Sequence, residues 1–219
     1  MSRLYFAAKA PIPGLVKTRL GASVGMAEAA TLYRGFLHDL VRRFADSPFE
    51  VAWHVAPGST SSLRPIIGRA AKVRVQRGGD WSVRQANLFR EVEAAQKGSV
   101  VLAATDSPQL ELETVEAAFS ALRRADVVLG PTFDGGYYLV GMHRFHDIFG
   151  GVAMSTTSAL DQVLERARSR RLAVTLLDSE FDVDTEEDLE YLAPLAMRRR
   201  DLEATVAALA AIQSLRAVA

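Results

Sequence analysis

Ser99-Val100-Val101-Leu102-Ala103-Ala104-Thr105-Asp106-Ser107-Pro108 is the stretch on which the reading of this 219-residue chain turns. Its first six residues form a short apolar run that reads as a buried strand. The run stops abruptly at a hydroxyl, a carboxylate, a second hydroxyl and a proline. A carboxylate placed there is costly unless something cationic pairs with it. A divalent cation bridging nucleotide phosphates would serve, because Mg²⁺ takes one or two carboxylates together with phosphate oxygens. Ser107 and Pro108 also read as a helix start, with the serine as cap and the proline at the first helical position. The two readings are compatible, since Asp106 lies outside that cap.

Outward from this strand, short apolar runs alternate with longer segments of helical period. Arg3 to Ala8 reads as the first strand, Glu50 to Val55 as the second and Val73 to Gln76 as the third. Asp126 to Gly130, Tyr137 to Gly141 and Leu172 to Leu177 read as later strands. Met26, Ala29, Tyr33, Phe36, Leu37, Leu40, Val41 and Phe44 fall at three- and four-residue intervals, which puts them on one helical face. Trp81 to Gln96, Leu112 to Arg124, Ser158 to Arg170, Thr185 to Leu192 and Arg199 to Leu215 read as further helices. Strand and helix in alternation indicate an α/β fold with a mostly parallel sheet. No repeat or linker divides the chain, so one domain over residues 1–219 is expected, with 195–219 a helical extension. The apolar side of the last helix (Leu202, Val206, Leu209) suits either the sheet or the partner in a homodimer.

In such sheets ligands bind beyond the carboxyl ends of the strands. The exit of the first strand carries Lys9-Ala10-Pro11-Ile12-Pro13-Gly14-Leu15-Val16-Lys17-Thr18-Arg19. The prolines stiffen this loop, and Gly14 permits a left-handed bend or close backbone approach. Lys9, Lys17 and Arg19, with the Thr18 hydroxyl, suit a polyphosphate held by charge-assisted hydrogen bonds. The pattern is neither a P-loop nor the dinucleotide fingerprint.

The fifth-strand exit, Gly130-Pro131-Thr132-Phe133-Asp134-Gly135-Gly136-Tyr137, makes a sharp turn at the paired glycines. Asp134 could accept a hydroxyl or help to hold metal there, and the amides of Gly135 and Gly136 could meet an acceptor. Phe181-Asp182-Val183-Asp184-Thr185-Glu186-Glu187-Asp188 combines a capping-box pattern, Thr185 with Asp188, with two acids that capping does not explain. Asp182 or Asp184 could complete a metal site with Asp106, and their spacing does not choose between them. Gln76 and Gly78, after the third strand, could read a base or simply make a turn, with Asp80 or Ser82 capping the helix that follows.

Bulk properties narrow the partners. Lys plus Arg and Asp plus Glu number 26 each, so net charge gives no footprint for nucleic acid. The absence of cysteine excludes disulfides, thiolate zinc sites and a cysteine nucleophile. Neither a signal peptide nor a segment of membrane-spanning length is evident, and a cytoplasmic location is the default expectation. His143 and His146 lack a third metal ligand, and Arg198-Arg199-Arg200 reads as a solvated helix start.

Four motifs in order, Lys9-x-Pro-x-Pro-Gly-x-Val-Lys-Thr-Arg-Leu20, Thr105-Asp-Ser-Pro108, Gly130-Pro-Thr-x-Asp-Gly-Gly-Tyr-Tyr-Leu139 and Asp182-Val-Asp-Thr-x-x-Asp-Leu189, resemble the bacterial DUF2064 family. Its members are described as glycosyltransferases associated with radical-SAM or selenium-domain proteins. They are similar to molybdenum-cofactor guanylyltransferases and to 2-phospho-L-lactate guanylyltransferase. The resemblance implies the three-layer α/β/α, Rossmann-like GT-A fold of nucleotide-diphospho-sugar transferases. It also implies a metal role for Asp106 and nucleotide binding by the Lys9 to Arg19 loop. Three motifs depart from the family pattern: Ala104 replaces a common glycine, Trp81-Ser82 replaces Leu-Gly, and Met154 replaces the tryptophan of a Trp-Ser-Thr motif.

The resulting expectation is transfer of a nucleoside monophosphate from an NTP to a small phosphorylated or carboxylated acceptor, with Mg²⁺ or Mn²⁺. Lys17, Asp106 and Asp134 are the expected catalytic residues. Lys9, Pro13, Gly14, Lys17, Thr18, Arg19, Gln76 and Gly78 are expected at the nucleotide, Asp134, Gly135 and Gly136 at the acceptor, and Asp106, Asp182 and Asp184 at the metal. Glycosyl transfer from a nucleotide sugar is the alternative, although sugar transferases of this fold usually carry Asp-x-Asp where this chain has Thr105-Asp106-Ser107. A catalytically idle nucleotide-binding module is the third reading.

Overall fold

The computed structural model describes residues 2–95 and 97–216. In chain order the elements are β1 (Arg3–Ala8), α1 (Thr18–Val24), α2 (Met26–Arg43), β2 (Glu50–Val55), α3 (Thr60–Ile67), β3 (Lys72–Val75), α4 (Trp81–Ala95) and β4 (Val100–Ala104). They continue with α5 (Leu112–Ala121), β5 (Val127–Pro131), β6 (Tyr137–Met142), α6 (Ala159–Ser169), β7 (Val174–Leu176), α7 (Asp188–Arg198) and α8 (Glu203–Arg216). Gln96, the expected last residue of the fourth helix, and residues 217–219 of the expected extension lie outside the described residues. α1 and α3 are additions to the sequence reading, and both are short.

The seven strands form one sheet in the order β3-β2-β1-β4-β6-β5-β7. All pairs are parallel except those of β6, which runs antiparallel to both β4 and β5. Side chains alternate between the faces of a strand, and two apolar layers result. Leu4, Phe6, Val101, Ala103 and Val128 pack with α1, α2, α3, α5, α7 and α8 on one face. Tyr5, Leu102, Val127, Leu129 and Val140 pack with α4 and α6 on the other. Helices therefore cover both faces, giving the expected three-layer α/β/α architecture. Phe6, Phe36 and Phe149 are each fully buried, and each contributes about 2 kcal/mol of apolar burial. No helix among the described residues is long and apolar enough to cross a membrane.

The last helix lies on α2. Asp39, 1% exposed, accepts hydrogen bonds from the amides of Ala204 (3.0 Å) and Thr205 (2.8 Å), which satisfies the start of α8. Gly35 lets the two helices touch, since a Cβ there would stand 2.8 Å from the Ala204 carbonyl oxygen. Leu202 and Leu209 are buried in the core and Val206 packs against it, so the face suited to a sheet or a second subunit is spent on α2 and the core beneath. Arg199, expected as solvated, instead pairs with Asp201 and Glu111 and donates to the Gln109 carbonyl.

After β6 the chain runs from His143 to Ser158 without helix or strand. His143 hydrogen-bonds Ser99, just before β4 begins, whereas Thr157 lies against Gly135, just after β5 ends. This segment therefore travels the full height of the sheet.

Candidate active site

The exits of β1 and β4 are tied together by hydroxyls. Thr105 Oγ1 donates to the Ala7 carbonyl (2.8 Å), and Tyr33 Oη stands 2.7 Å from the same Oγ1. Thr105 has one proton and spends it on Ala7, so the phenol donates to Thr105 and accepts the Lys9 amide (3.2 Å). Burial, with the nearby charge of Asp106, pushes the Tyr33 phenol up to about 12 and keeps that donor protonated. Ser59 Oγ accepts the Ala10 amide at 2.9 Å. Neither Tyr33 nor Ser59 figured among the expected site residues. Tyr33 counted as one apolar residue of a helical face, and only its hydroxyl reaches the loop.

Beyond Ala10 the loop turns outward, and Pro13, Gly14, Thr18 and Arg19 are exposed, as is Lys9. Lys17 returns inward. Its backbone is left-handed (φ 47°, ψ 43°) and its side chain is 3% exposed. The ammonium pairs with Asp106 and stands 3.0 Å from Asp184 Oδ1, while Arg19 pairs with the other oxygen of Asp184. Burial alone would lower the Lys17 pKa, but the charges and hydrogen bonds of Asp106 and Asp184 outweigh it and hold the pKa above its usual value. Burial likewise acts to raise Asp184, and Lys17 and Arg19 reverse that and hold it below the usual carboxylate range.

Asp184 reaches Asp106 because the 180–188 segment is stitched to the β4 exit. The Val183 amide donates to the Asp106 carbonyl (3.0 Å), and Ser107 Oγ to the Phe181 carbonyl (3.2 Å). Ser107 is therefore a tether between loops and not the expected cap, and the helix after it begins only at Leu112. Asp188 Oδ2 accepts from the amides of Asp184 (2.8 Å) and Thr185 (2.7 Å) and from the Thr185 hydroxyl (3.0 Å). The expected Thr185–Asp188 pairing thus exists, but α7 starts at Asp188, three residues late.

Asp182 makes no hydrogen bond or ion pair through its carboxylate among the described residues. Burial, then the charges of Asp184, Asp134 and Asp106, push it up to about 7, against the pull of Lys17. Among the described residues no group of three or more His, Asp or Glu stands close enough to share a metal ion. Asp106 and Asp184, gathered at one cation, still fit the one or two carboxylates that Mg²⁺ takes when phosphates complete its shell. Of the two acids left open by the sequence, Asp184 is the one paired across Lys17 with Asp106.

The loop after β5 is folded on Asp134. Oδ1 accepts from Thr132 Oγ1 (2.6 Å) and the Gly136 amide (3.1 Å), and the Gly135 amide donates to the Thr132 carbonyl (3.2 Å). Both glycine amides expected to meet an acceptor are consumed by the turn. The carbonyl of Gly135 accepts the Leu160 amide at 2.9 Å, and its φ of +89° and contact with Thr157 leave no room for a side chain.

At the β3 exit Gln76 is 5% exposed and donates to the His54 carbonyl (2.9 Å). Arg84 donates to the carbonyls of Gly78 (3.1 Å) and Gly79 (3.2 Å), and Asp80 Oδ1 accepts the Val83 amide (2.8 Å), which identifies the cap of α4. The structure gives Gln76 and Gly78 a turn-making task. They lie at the carboxyl edge shared with Lys17 and Asp106, with β2 between β3 and β1.

Residues 40–156, over half of the chain, match a family described as "Uncharacterized protein conserved in bacteria (DUF2064)". The chain belongs to the DUF2064 family. This DUF2064 chain is similar to a crystal structure from Desulfovibrio desulfuricans G20, assigned as a nucleotide-diphospho-sugar transferase, at 31% identity and a TM-score of 0.91, with 98% of this chain and 96% of that one covered. Its fold recurs in 4-diphosphocytidyl-2C-methyl-D-erythritol synthase from Anaerococcus prevotii DSM 20548 (13% identity, 91% and 96% covered, TM-score 0.57). It recurs again in CMP:2-keto-3-deoxy-manno-octonic acid synthetase complexed with CTP (12% identity, 90% and 98% covered, TM-score 0.56). No curated protein matches the chain. The nucleotide-diphospho-sugar transferase fold and the transferase class expected from the motifs agree with these relatives.

Proposed function

We propose that this DUF2064 protein is a divalent-metal-dependent nucleotidyltransferase that moves a nucleoside monophosphate from an NTP to a small phosphorylated or carboxylated acceptor. One observation carries the reading: a buried ammonium, Lys17, gathers Asp106 and Asp184 from two other loops at the carboxyl edge of the sheet. An exposed basic loop, with Lys9, Thr18 and Arg19, adjoins it. That combination suits a polyphosphate, whose transfer needs positioning and charge stabilisation more than covalent chemistry.

In this reading Lys9, Lys17, Thr18 and Arg19 bind the phosphates, and Pro13 and Gly14 shape the loop around them. Asp106 and Asp184 would hold Mg²⁺ or Mn²⁺, which when bound supplies charge neutralisation at the phosphates. Asp134, whose second oxygen is free of the turn, orients the acceptor. An acceptor oxygen forms a bond to the α-phosphorus while the α–β bridging bond breaks, and pyrophosphate leaves with the electron pair. The Tyr33–Thr105 link keeps the phosphate loop in register with Asp106.

Incubation with each NTP, Mg²⁺ and phosphorylated or carboxylated acceptors should release pyrophosphate, and Asp106→Asn should abolish the metal dependence. Unchanged Mg²⁺-dependent binding in that variant would refute the metal assignment. The relative assigned as a nucleotide-diphospho-sugar transferase supports a second reading, glycosyl transfer. Turnover of a nucleotide sugar without pyrophosphate would favour it over the first.

A further inference from the structure

Lys17 is held in a way that helix capping does not explain. Its side chain makes no cap hydrogen bond to α1, and its left-handed backbone is one that a non-glycine residue keeps only when its surroundings impose it. The surroundings here are two carboxylates, Asp106 and Asp184, with Arg19 on the far oxygen of Asp184. Two cations therefore already balance two anions. A divalent cation arriving at this pair meets carboxylates already held by an ammonium and a guanidinium, with Asp182 as a further acid nearby.

We infer that Lys17 is the resident counter-ion of the Asp106–Asp184 pair, and that a divalent cation enters between these carboxylates only as Lys17 leaves them for an anionic phosphate chain. This deepens the proposed reaction and rests on its reading of the Lys9 to Arg19 loop as the phosphate-binding segment. The exchange needs little chain movement. A lysine ammonium is a point charge on a flexible four-carbon stem, able to turn from one anion to another. Arg19, 64% exposed, is free to follow. Metal and nucleotide then bind as a pair, and the protein alone holds the metal poorly. An early-bound metal ion without its phosphate partner is thereby discouraged.

The test is a Mn²⁺ titration of the full chain without nucleotide, with free Mn²⁺ followed by electron paramagnetic resonance. Lys17→Met removes the competing charge at similar length and should bind Mn²⁺ at least about tenfold more tightly than the wild type, the effect of removing one close like charge near a protein surface. Adding Asp106→Asn to Lys17→Met should erase the gain. In thermal melts Mg²⁺ should raise the Tm of Lys17→Met much more than that of the wild type. If Lys17→Met does not fold alone, Lys17→Gln, which is neutral but keeps an N–H donor, carries the same titration. Equal or weaker Mn²⁺ binding in the lysine variants overturns the inference. If the lysine variants gain affinity while the wild-type chain turns over no NTP with any acceptor, the exchange stands and the proposed reaction fails. Pyrophosphate release by the wild type, with no gain of affinity in the variants, does the reverse.

Discussion

Gly135 and Gly14 both sit in loops at the carboxyl edge and both have positive φ, +89° and +77°, yet their surroundings differ completely. A Cβ on Gly14 meets nothing within 4 Å, so Gly14→Ala bears only the left-handed backbone cost, about 1 kcal/mol. A Cβ on Gly135 would stand 1.9 Å from the Thr157 carbonyl oxygen and 2.7 Å from its carbon. Those are backbone atoms and cannot rotate away. The 157–160 segment must shift, at about 1–3 kcal/mol of packing strain. The Leu160 amide then loses the Gly135 carbonyl, for about 1 kcal/mol more. Gly135→Ala should therefore cost about 3–5 kcal/mol in all, at least about 2 kcal/mol beyond Gly14→Ala. Urea unfolding of both variants, followed by circular dichroism, reads the difference directly. If Gly135→Ala is no less stable than Gly14→Ala, then the 132–136 turn is not braced by Thr157 as described.

Tyr33→Phe removes one hydroxyl and leaves the Lys9 amide and Thr105 Oγ1 each short of a partner; a loss of about 1–3 kcal/mol should appear in denaturant unfolding, with pyrophosphate release falling more steeply than stability. Asp39→Ala strips the amides of Ala204 and Thr205, and limited proteolysis should then cut α8 first, with about 2–3 kcal/mol lost overall; uniform cleavage along the chain would contradict the capping role. His54 is held neutral by burial, with Arg74 and Arg84 adding to it, at a pKa of about 4 against the usual 6.5. Its folded value lies below its unfolded one, so its contribution is complete above pH 6.5 and fades by up to about 3 kcal/mol as pH falls toward 4. The His54 ring resonances in NMR should shift only near pH 4, and a midpoint above 6 would refute the buried environment.

The strands and long helices were legible because their apolar periods are local. Ser99 to Ala104 and the stripe from Met26 to Phe44 each announce their element within a few residues. The convergence of loops was legible for a different reason, since a parallel sheet sends its strand exits to one edge. The ion pair between Lys17 and Asp184 was not, because 167 residues separate the partners and only tertiary packing joins them. Gln76 and the two glycine amides, weighed for a ligand, and Ser107, read as a cap, share one trait. Each spends a polar group on a neighbouring segment that sequence spacing does not reveal. α1 and α3 escaped because seven and eight residues give a helical period too little length to register, and α3 contains Pro65.

The strap from His143 to Ser158 begins at one edge of the sheet and ends at the other, bracing the 132–136 turn but making no bond to Lys17, Asp106 or Asp184. The two halves of the site meet elsewhere, where the Phe133 amide donates to the Glu180 carbonyl (3.1 Å) on the segment that leads to Asp184. Under the proposed reaction, exchange of this strap between family members would act first on the turn that carries Asp134 and would reach the Lys17 end only through Glu180, so a change of acceptor could begin at the strap.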